Sequence, residues 1–368
     1  MKKLAFIVNS LGVGGAEKHT VTLANNLNKR GYNITIFVLN NNMDLVDELD
    51  KEINLILVKV NKFYDRLIVK KIHDLCNEYD IDELFCVNTY PMLYGYKATQ
   101  KTDIKCTVIH HTTELIGIKE KIKNIYLKKL MNKCYRRIFV SGNQKKYWNR
   151  KYNIINENTY VIRNGIDLEN FKNDYYIDNN QLRKELKLGE EDLVMICGAM
   201  LRREKNHIQI LKYIKSLVDS GYKNIKVLLL GDGIERHNIE EFIKENKLDN
   251  NVILLGLQKD VKKYYSISDI GVIGSKAVET FSIAALEQMS MGVPMIMTNI
   301  GGANEMIIDG FNGYLYELDD DTAFINIVKN IYKEKSTLKK LKTNARTLVK
   351  NNFCQEKMID KYVNIINN

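Results

Sequence analysis

Short apolar runs of strand length alternate with helix-length amphipathic stretches along most of the chain. In the first half the apolar runs fall at 4–9, 33–39, 53–58, 84–88, 106–110 and 137–141, with a shorter one at 161–162. In the second half they fall at 193–198, 226–231, 252–256, 270–274 and 294–298, with a further candidate at 313–316. Such alternation predicts βαβ units and parallel sheets. Two sets of about six strands suit two separate doubly wound α/β domains better than one small sheet. The stretch 171–180 is polar, aromatic and without period, as a linker is. The boundary is expected within 170–186, giving a first domain over 1–172 and a second over 173–350. The tail from Thr322 reads as two or three helices, the last over 351–368.

Composition adds little to this and removes several alternatives. The chain has 368 residues, a length that accommodates two domains. At 45% hydrophobic and 27% charged residues, a folded protein is expected rather than a disordered one. No run approaches the roughly 18 apolar residues of a membrane span. The basic start and short apolar run of residues 1–8 lead into Asn9, Ser10 and a glycine loop, so they read as a first strand and not a signal peptide. The six cysteines show no metal-ligand spacing, and several lie in apolar runs, so reduced buried thiols are expected. A net charge of +10 suggests a polyanionic partner without choosing among nucleic acid, anionic membrane and phosphorylated ligand.

The candidate chemistry lies in the loops that follow strands. Glu279-Thr-Phe-Ser-Ile-Ala-Ala-Leu-Glu287 holds two carboxylates, the first at a strand-to-helix junction and the second two turns into the helix. An open α/β sheet binds its ligand there, beyond the carboxyl ends of its strands. Gly12-Val-Gly14-Gly15-Ala-Glu17 follows the first strand and opens an amphipathic helix, whose free N–H groups suit a phosphate. The pattern is not GxGxxG, and the second strand ends Phe37-Val-Leu-Asn40 with no carboxylate for an adenine ribose, which argues against a dinucleotide dehydrogenase. A tight turn with no ligand is the plain alternative for this loop.

These segments occur in an order that resembles the retaining glycosyltransferases of family 4. The landmarks are Gly14-Gly15-Ala-Glu17, Arg163-Asn-Gly-Ile-Asp167, Gly198-Ala-Met-Leu-Arg202-Arg203-Glu-Lys205-Asn206 and Leu229-Leu-Gly-Asp-Gly233. Leu255-Gly-Leu-Gln-Lys-Asp-Val261, the Glu279/Glu287 run, Gly301-Gly302-Ala-Asn-Glu305 and Asp309-Gly-Phe-Asn-Gly313 complete them. The resemblance implies the GT-B architecture, two Rossmann-like doubly wound domains facing across a cleft. The first would take the acceptor and the second a nucleotide-sugar donor, usually a UDP-sugar, and the C-terminal helix over 351–368 would cross back to the first domain.

The resemblance also implies a role for each matching residue. Lys205, with Arg202 or Arg203, would carry the diphosphate, where fixed cations stabilise the charge that grows on the leaving group. Arg202 is somewhat ahead of Arg203. Glu287 would hold the ribose hydroxyls as an acceptor-only group, and Glu279 would lie by the donor sugar. The backbone N–H groups of Thr280, Phe281, Ser282 and Ile283 would meet sugar and phosphate oxygens. Gly14 and Gly15 would approach the donor from the first domain. The strand ending His110-His111 presents one histidine to the site, since alternation turns only one inward. Where many family members have glycine, this chain has Thr280 and Ser282, a departure that bears on donor identity.

Retention of anomeric configuration is likewise implied, through front-face attack in which the departing phosphate takes the acceptor's proton. No DxD-like motif occurs in a suitable loop, so neither metal nor cofactor is expected. The segment 117–137 holds eight basic residues and one acid, with Leu127, Leu130, Met131, Cys134 and Ile138 at helical spacing. It reads as a basic amphipathic helix able to lie on an anionic bilayer, or as a helix packed on its sheet with a solvated face. A cytoplasmic protein peripheral on the inner face of the cell membrane is expected, acting on a glycan or lipid-linked acceptor. A nucleic-acid partner is not expected, because aromatic interleaving and reader motifs are lacking. A sugar-nucleotide epimerase of the same fold and a non-catalytic partner subunit are the competing readings.

Overall fold

The computed structural model describes residues 2–112, 127–154, 157–172, 179–277 and 279–368. The chain forms two compact units, Met1–Asn164 with Met358–Asn368, and Gly165–Lys357. In the first unit β1 (Lys3–Val8), β2 (Asn33–Val38), β3 (Asn54–Leu57), β4 (Glu83–Val87), β5 (Lys105–His110), β6 (Arg136–Phe139) and β7 (Thr159–Val161) form one sheet. Its order is β3-β2-β1-β4-β5-β6-β7, and its pairings are parallel. In the second, β8 (Leu193–Gly198), β9 (Ile225–Leu230), β10 (Val252–Gly256), β11 (Ile270–Ile273), β12 (Met295–Thr298) and β13 (Gly313–Tyr316) form a parallel sheet in the order β10-β9-β8-β11-β12-β13.

Both sheets are covered on both faces, which is why their strands read as continuous apolar runs rather than alternating ones. Along β1, Leu4, Phe6 and Val8 enter one core while Ala5 and Ile7 enter the other. Along β8, Val194 and Ile196 face one core and Leu193, Met195 and Cys197 the other. The C-terminal helix Gln355–Asn367 joins the first unit. Met358, Ile359, Tyr362, Ile365 and Ile366 form its apolar stripe and pack into the core that holds Leu4 and Phe6.

Each sheet reverses its direction of growth once, between β1 and β4 and between β8 and β11. At such a reversal the connections leave to opposite faces and open a crevice at the strands' carboxyl ends. The loops after β1, β4, β8 and β11 are therefore the places where a ligand can reach backbone and side chains together. Two doubly wound α/β domains follow from these two sheets.

The basic helix anticipated over 117–137 falls in part on residues 113–126, which lie outside the described residues. The described remainder is helical only over 127–131. Arg136 and Arg137 belong to β6, not to a helix, and both are buried. The Arg136 guanidinium donates to both carboxylate oxygens of Glu83 at 2.8 Å, and Arg137 Nη1 donates to the Met131 carbonyl at 2.7 Å. The β-branched and aromatic run Ile138-Phe139-Val140 prefers to pair with β5, and this overrides the helical spacing. Two of the eight cations in that segment are thereby withdrawn from any surface.

Candidate functional site

In the second unit the reversal between β8 and β11 brings together a lysine from one loop and a glutamate from the other. Lys205 closes the short turn Arg203–Lys205 after β8. Its Nζ donates to Glu279 Oε2 at 2.7 Å. Ser275, just past β11, donates its hydroxyl to the same oxygen at 2.8 Å. The Ser275 carbonyl in turn accepts from Thr298 Oγ1 at 2.6 Å. The two loops are also tied through the backbone, since Lys276 N donates to the Glu204 carbonyl at 2.9 Å. The Glu279 side chain is 8% exposed and that of Lys205 24%. Burial alone would push the lysine's pKa down, but the neighbouring carboxylate outweighs it and holds the ammonium above its ordinary value.

The backbone of Glu279 is clasped as well. Gly302 N donates to its carbonyl at 3.0 Å. Gly301 has φ +57°, and a Cβ there would come within 1.8 Å of that same carbonyl oxygen. Glycine at 301 is therefore needed both for its conformation and for the close approach.

Glu287 is buried in the helix Ile283–Ser290 and accepts from the Tyr265 hydroxyl at 3.1 Å. Burial and then the carboxylate raise the Tyr265 pKa well above its usual value, so the phenol remains a donor. Ser282 caps this helix, its Oγ accepting from Ala285 N at 3.2 Å. Thr280 and Phe281 are buried, Phe281 stacks edge-on to Phe353 with 5.3 Å between centroids, and Ile283 is half-buried. Arg202 and Arg203 are exposed, and neither makes an ion pair among the described residues. They differ in this from Lys205, whose charge is already partnered.

The first unit's reversal is built mainly from neutral groups, with Glu17 the one carboxylate among its lining residues. A cavity of about 180 Å³ lies there, lined among others by Asn9, Ser10, Glu17, Asn88 and Tyr90. Gly14 precedes the helix Gly15–Lys29, its carbonyl accepting from Lys18 N at 2.9 Å. A Cβ on Gly14 would meet Glu17 Oε2 at 2.3 Å, whereas one on Gly15 would meet nothing within 4 Å. Gly15 thus borders open space.

His110 and His111 point to opposite sides. His110 is enclosed between Phe139 and Trp148, with centroids 5.2 and 4.9 Å away. His111 packs on His19 at 4.4 Å, and His19 meets the Tyr362 hydroxyl at 3.3 Å through Nε2. Burial lowers the pKa of His19 to about 3 and, with Arg137 adding to it, that of His110 to about 3. His111 is lowered well below its usual value by burial and by the two histidines beside it. All three are neutral imidazoles at pH 7.

Two family models match this chain. That of Glycosyltransferase Family 4 covers residues 13–170, and that of Glycosyl transferases group 1 covers 178–348. The chain is a glycosyltransferase that resembles family 4. Among its curated relatives is the N-acetyl-alpha-D-glucosaminyl L-malate synthase of Bacillus anthracis. It is 29% identical over 58% of this chain, a match spanning 52% of that enzyme. Another is the N-acetylgalactosamine-N,N'-diacetylbacillosaminyl-diphospho-undecaprenol 4-alpha-N-acetylgalactosaminyltransferase of Campylobacter jejuni, 23% identical over 95% of each chain. Among solved structures, Anabaena HepE in complex with UDP-glucose superposes with a TM-score of 0.87 over all of both chains at 19% identity, a likeness of fold.

Several residues of the candidate site carry no sequence signal. Ser275 ends an apolar strand, and only the chain path reveals that its hydroxyl reaches Glu279. Tyr265 is 22 residues from Glu287. Asn88 follows β4 with φ 70° and ψ 176°, a conformation almost reserved for glycine. Its Oδ1 accepts from His111 N at 2.8 Å, joining the ends of β4 and β5. A strained non-glycine residue at a sheet reversal is itself a functional indicator. Among the described residues no group of three or more His, Cys, Asp or Glu is arranged to hold a metal ion. None of their helices is long and apolar enough to cross a membrane.

Proposed function

We propose that this chain is a retaining hexosyltransferase that moves a sugar from a nucleotide-sugar, a UDP-sugar in the first instance, to a glycan or lipid-linked saccharide of the cell surface. The observation that carries the reading is the Lys205–Glu279–Ser275 constellation at the reversal of the second sheet. It supports a donor whose diphosphate meets Lys205 and the free guanidinium of Arg202 or Arg203. Glu287 takes the ribose hydroxyls, Glu279 the donor sugar, and the helix start at Thr280–Ile283 offers its N–H groups to oxygens of both. In the reaction the anomeric C–O bond to the diphosphate breaks, and the phosphate oxygen keeps the electron pair. The acceptor hydroxyl oxygen bonds the anomeric carbon on the same face and its proton passes to the departing phosphate. The protein's part is placement and charge stabilisation.

The undecaprenyl-linked acceptor named for the Campylobacter relative supports a lipid-linked acceptor here, and the six lysines of 119–133 support peripheral contact with an anionic inner membrane face. No metal or cofactor is required in this reading. Calorimetric titration with a panel of nucleotide-sugars and nucleoside diphosphates tests it. The expected result is saturable binding of one nucleotide family, weakened when Glu287 is changed to Ala. Absence of binding and of hydrolysis for the whole panel would sink the proposal.

A further inference from the structure

We propose that residues 57–71 of the first unit form a docking surface for an anionic lipid bilayer. β3 is the edge strand of its sheet, and Leu57 at its end is 41% exposed. Phe63, Tyr64 and Leu67 follow at 49, 39 and 76%. Four of the eleven large hydrophobics exposed among the described residues thus fall in this one short stretch. Isolated exposed apolar residues need no explanation, whereas a cluster marks a contact surface.

The cluster is held outward by its neighbours. The buried Tyr94 donates its hydroxyl towards the Lys62 and Phe63 carbonyls at 3.3 and 3.2 Å. Phe63 leans on Tyr90 and Tyr64 on Tyr94, with centroids 5.6 and 6.0 Å apart. Asp65 caps the helix Arg66–Glu78 by accepting from Leu67 N at 2.9 Å. That helix buries Ile72 and Cys76, while Leu67, Lys70 and Lys71 share its outer face at i, i+3 and i+4.

Charge selects the occupant. Lys59, Lys62, Arg66, Lys70 and Lys71 are all exposed, and none makes an ion pair among the described residues. Asp65, the acid nearest the apolar group, is engaged at the cap. Aromatic and leucine side chains ringed by unpaired cations suit the interfacial layer of a bilayer, with apolar tips among acyl chains and cations at lipid phosphates. A second copy fits poorly, because a two-fold contact would set these five cations against themselves. The surface is separate from 117–137 and deepens the proposed membrane contact. It is read by binding without turnover, so its failure leaves the donor site standing, and the reverse also holds.

The test is co-sedimentation of the purified full chain with vesicles of phosphatidylglycerol and phosphatidylcholine, against phosphatidylcholine alone. Binding to the anionic vesicles only, falling as salt rises, is expected. Phe63→Ser with Leu67→Ser should weaken it about tenfold. Lys62→Gln, Arg66→Gln and Lys70→Gln together should weaken it about fivefold per cation and flatten the salt dependence. These side chains are exposed, so melting temperatures should hold. Phe63→Trp gives a second readout, an emission that moves to the blue on anionic vesicles against the constant signal of buried Trp148. Three results would each overturn the proposal. They are no binding by the parent chain, equal binding by both sets of variants, and a vesicle-free dimer that Leu67→Ser dissolves in sedimentation velocity.

Discussion

The two sheets reverse in the same way, yet the second unit furnishes its reversal with a paired ammonium and carboxylate, and the first with mostly neutral groups around a single carboxylate, Glu17. At β8 and β11 an ammonium, a carboxylate and a hydroxyl converge within 2.7–2.8 Å, with two exposed guanidinium groups alongside. At β1 and β4 the lining is amide, hydroxyl and aromatic around a cavity with Glu17 as its one carboxylate, and the nearby histidines are held neutral by burial. One topology can thus serve two tasks. A crevice furnished with fixed charges suits a step in which charge develops, and a neutral one suits recognition by shape and hydrogen bonds. The contrast can be broken residue by residue.

The largest effect is expected at Lys205→Ala. It removes the cation from a buried carboxylate, a change that costs about 3–5 kcal/mol for buried pairs. If the proposed donor site is right, it also removes a transition-state contact worth about 10²–10³ in rate. Thermal melts and donor turnover measure the two losses separately. Lys205→Ala with Glu279→Gln should recover part of the stability and none of the rate. Full recovery of both would show the pair to be scaffolding only.

Gly301→Ala should rank next. The new Cβ meets the Glu279 carbonyl in a backbone conformation that alanine resists. A loss of about 2 kcal/mol is expected from strain and displacement, with donor affinity falling along with it. An unchanged melting temperature would mean the clasp on Glu279 is loose.

Acidification probes the first unit. For a histidine whose folded pKa is depressed, the unfolded state takes up the proton first. Stability is therefore complete above about pH 6.5 and declines below it, until the folded pKa near 3 for His19 and His110. Each such histidine adds a slope of up to about 1.4 kcal/mol per pH unit in that window. Lys205 behaves oppositely. Its raised pKa contributes fully below the unfolded value, and the contribution disappears as pH rises through the folded one. Replacing His110 by Phe should shallow the acid limb, as followed by urea melts from pH 4 to 7. An acid limb of the same slope in the variant would show that His110 contributes none of it.

Tyr265→Phe leaves Glu287 without one buried donor and should cost about 1–2 kcal/mol. In the proposed site it should also change nucleoside-diphosphate affinity more than turnover, since the ribose takes no part in bond making. A drop in turnover alone would move Glu287 away from the ribose.

How much of this was legible from sequence depends on distance along the chain. Strands buried on both faces announce themselves as apolar runs, as Leu193–Gly198 and Ile270–Ile273 do. Glu279 and Glu287 stood out because two acids at a strand-to-helix junction are costly unless used. What stayed hidden depends on packing. Alternation required His110 and His111 to part, but only the positions of Trp148 and His19 decide which environment each receives. The helical spacing through Ile138 was misleading, because a strand and a helix can share apolar positions over so short a run. Only the buried Glu83 opposite explains why Arg136 can enter a sheet.

Asn88 offers the smallest effect and the sharpest discrimination between the two reversals. Its backbone lies where glycine is nearly alone, a cost of about 1–3 kcal/mol. Its side chain returns part of this by accepting from His111 N. Asn88→Gly should relieve the strain and lose the acceptor, leaving stability within about 1 kcal/mol of the parent. If the strained asparagine exists to shape the cavity, substrate KM should rise in this variant while the Lys205–Glu279 chemistry, and so kcat, holds. A more stable protein with unaltered kinetics would instead make Asn88 an unoptimised loop residue, and the first unit's reversal a structural feature with no part in recognition.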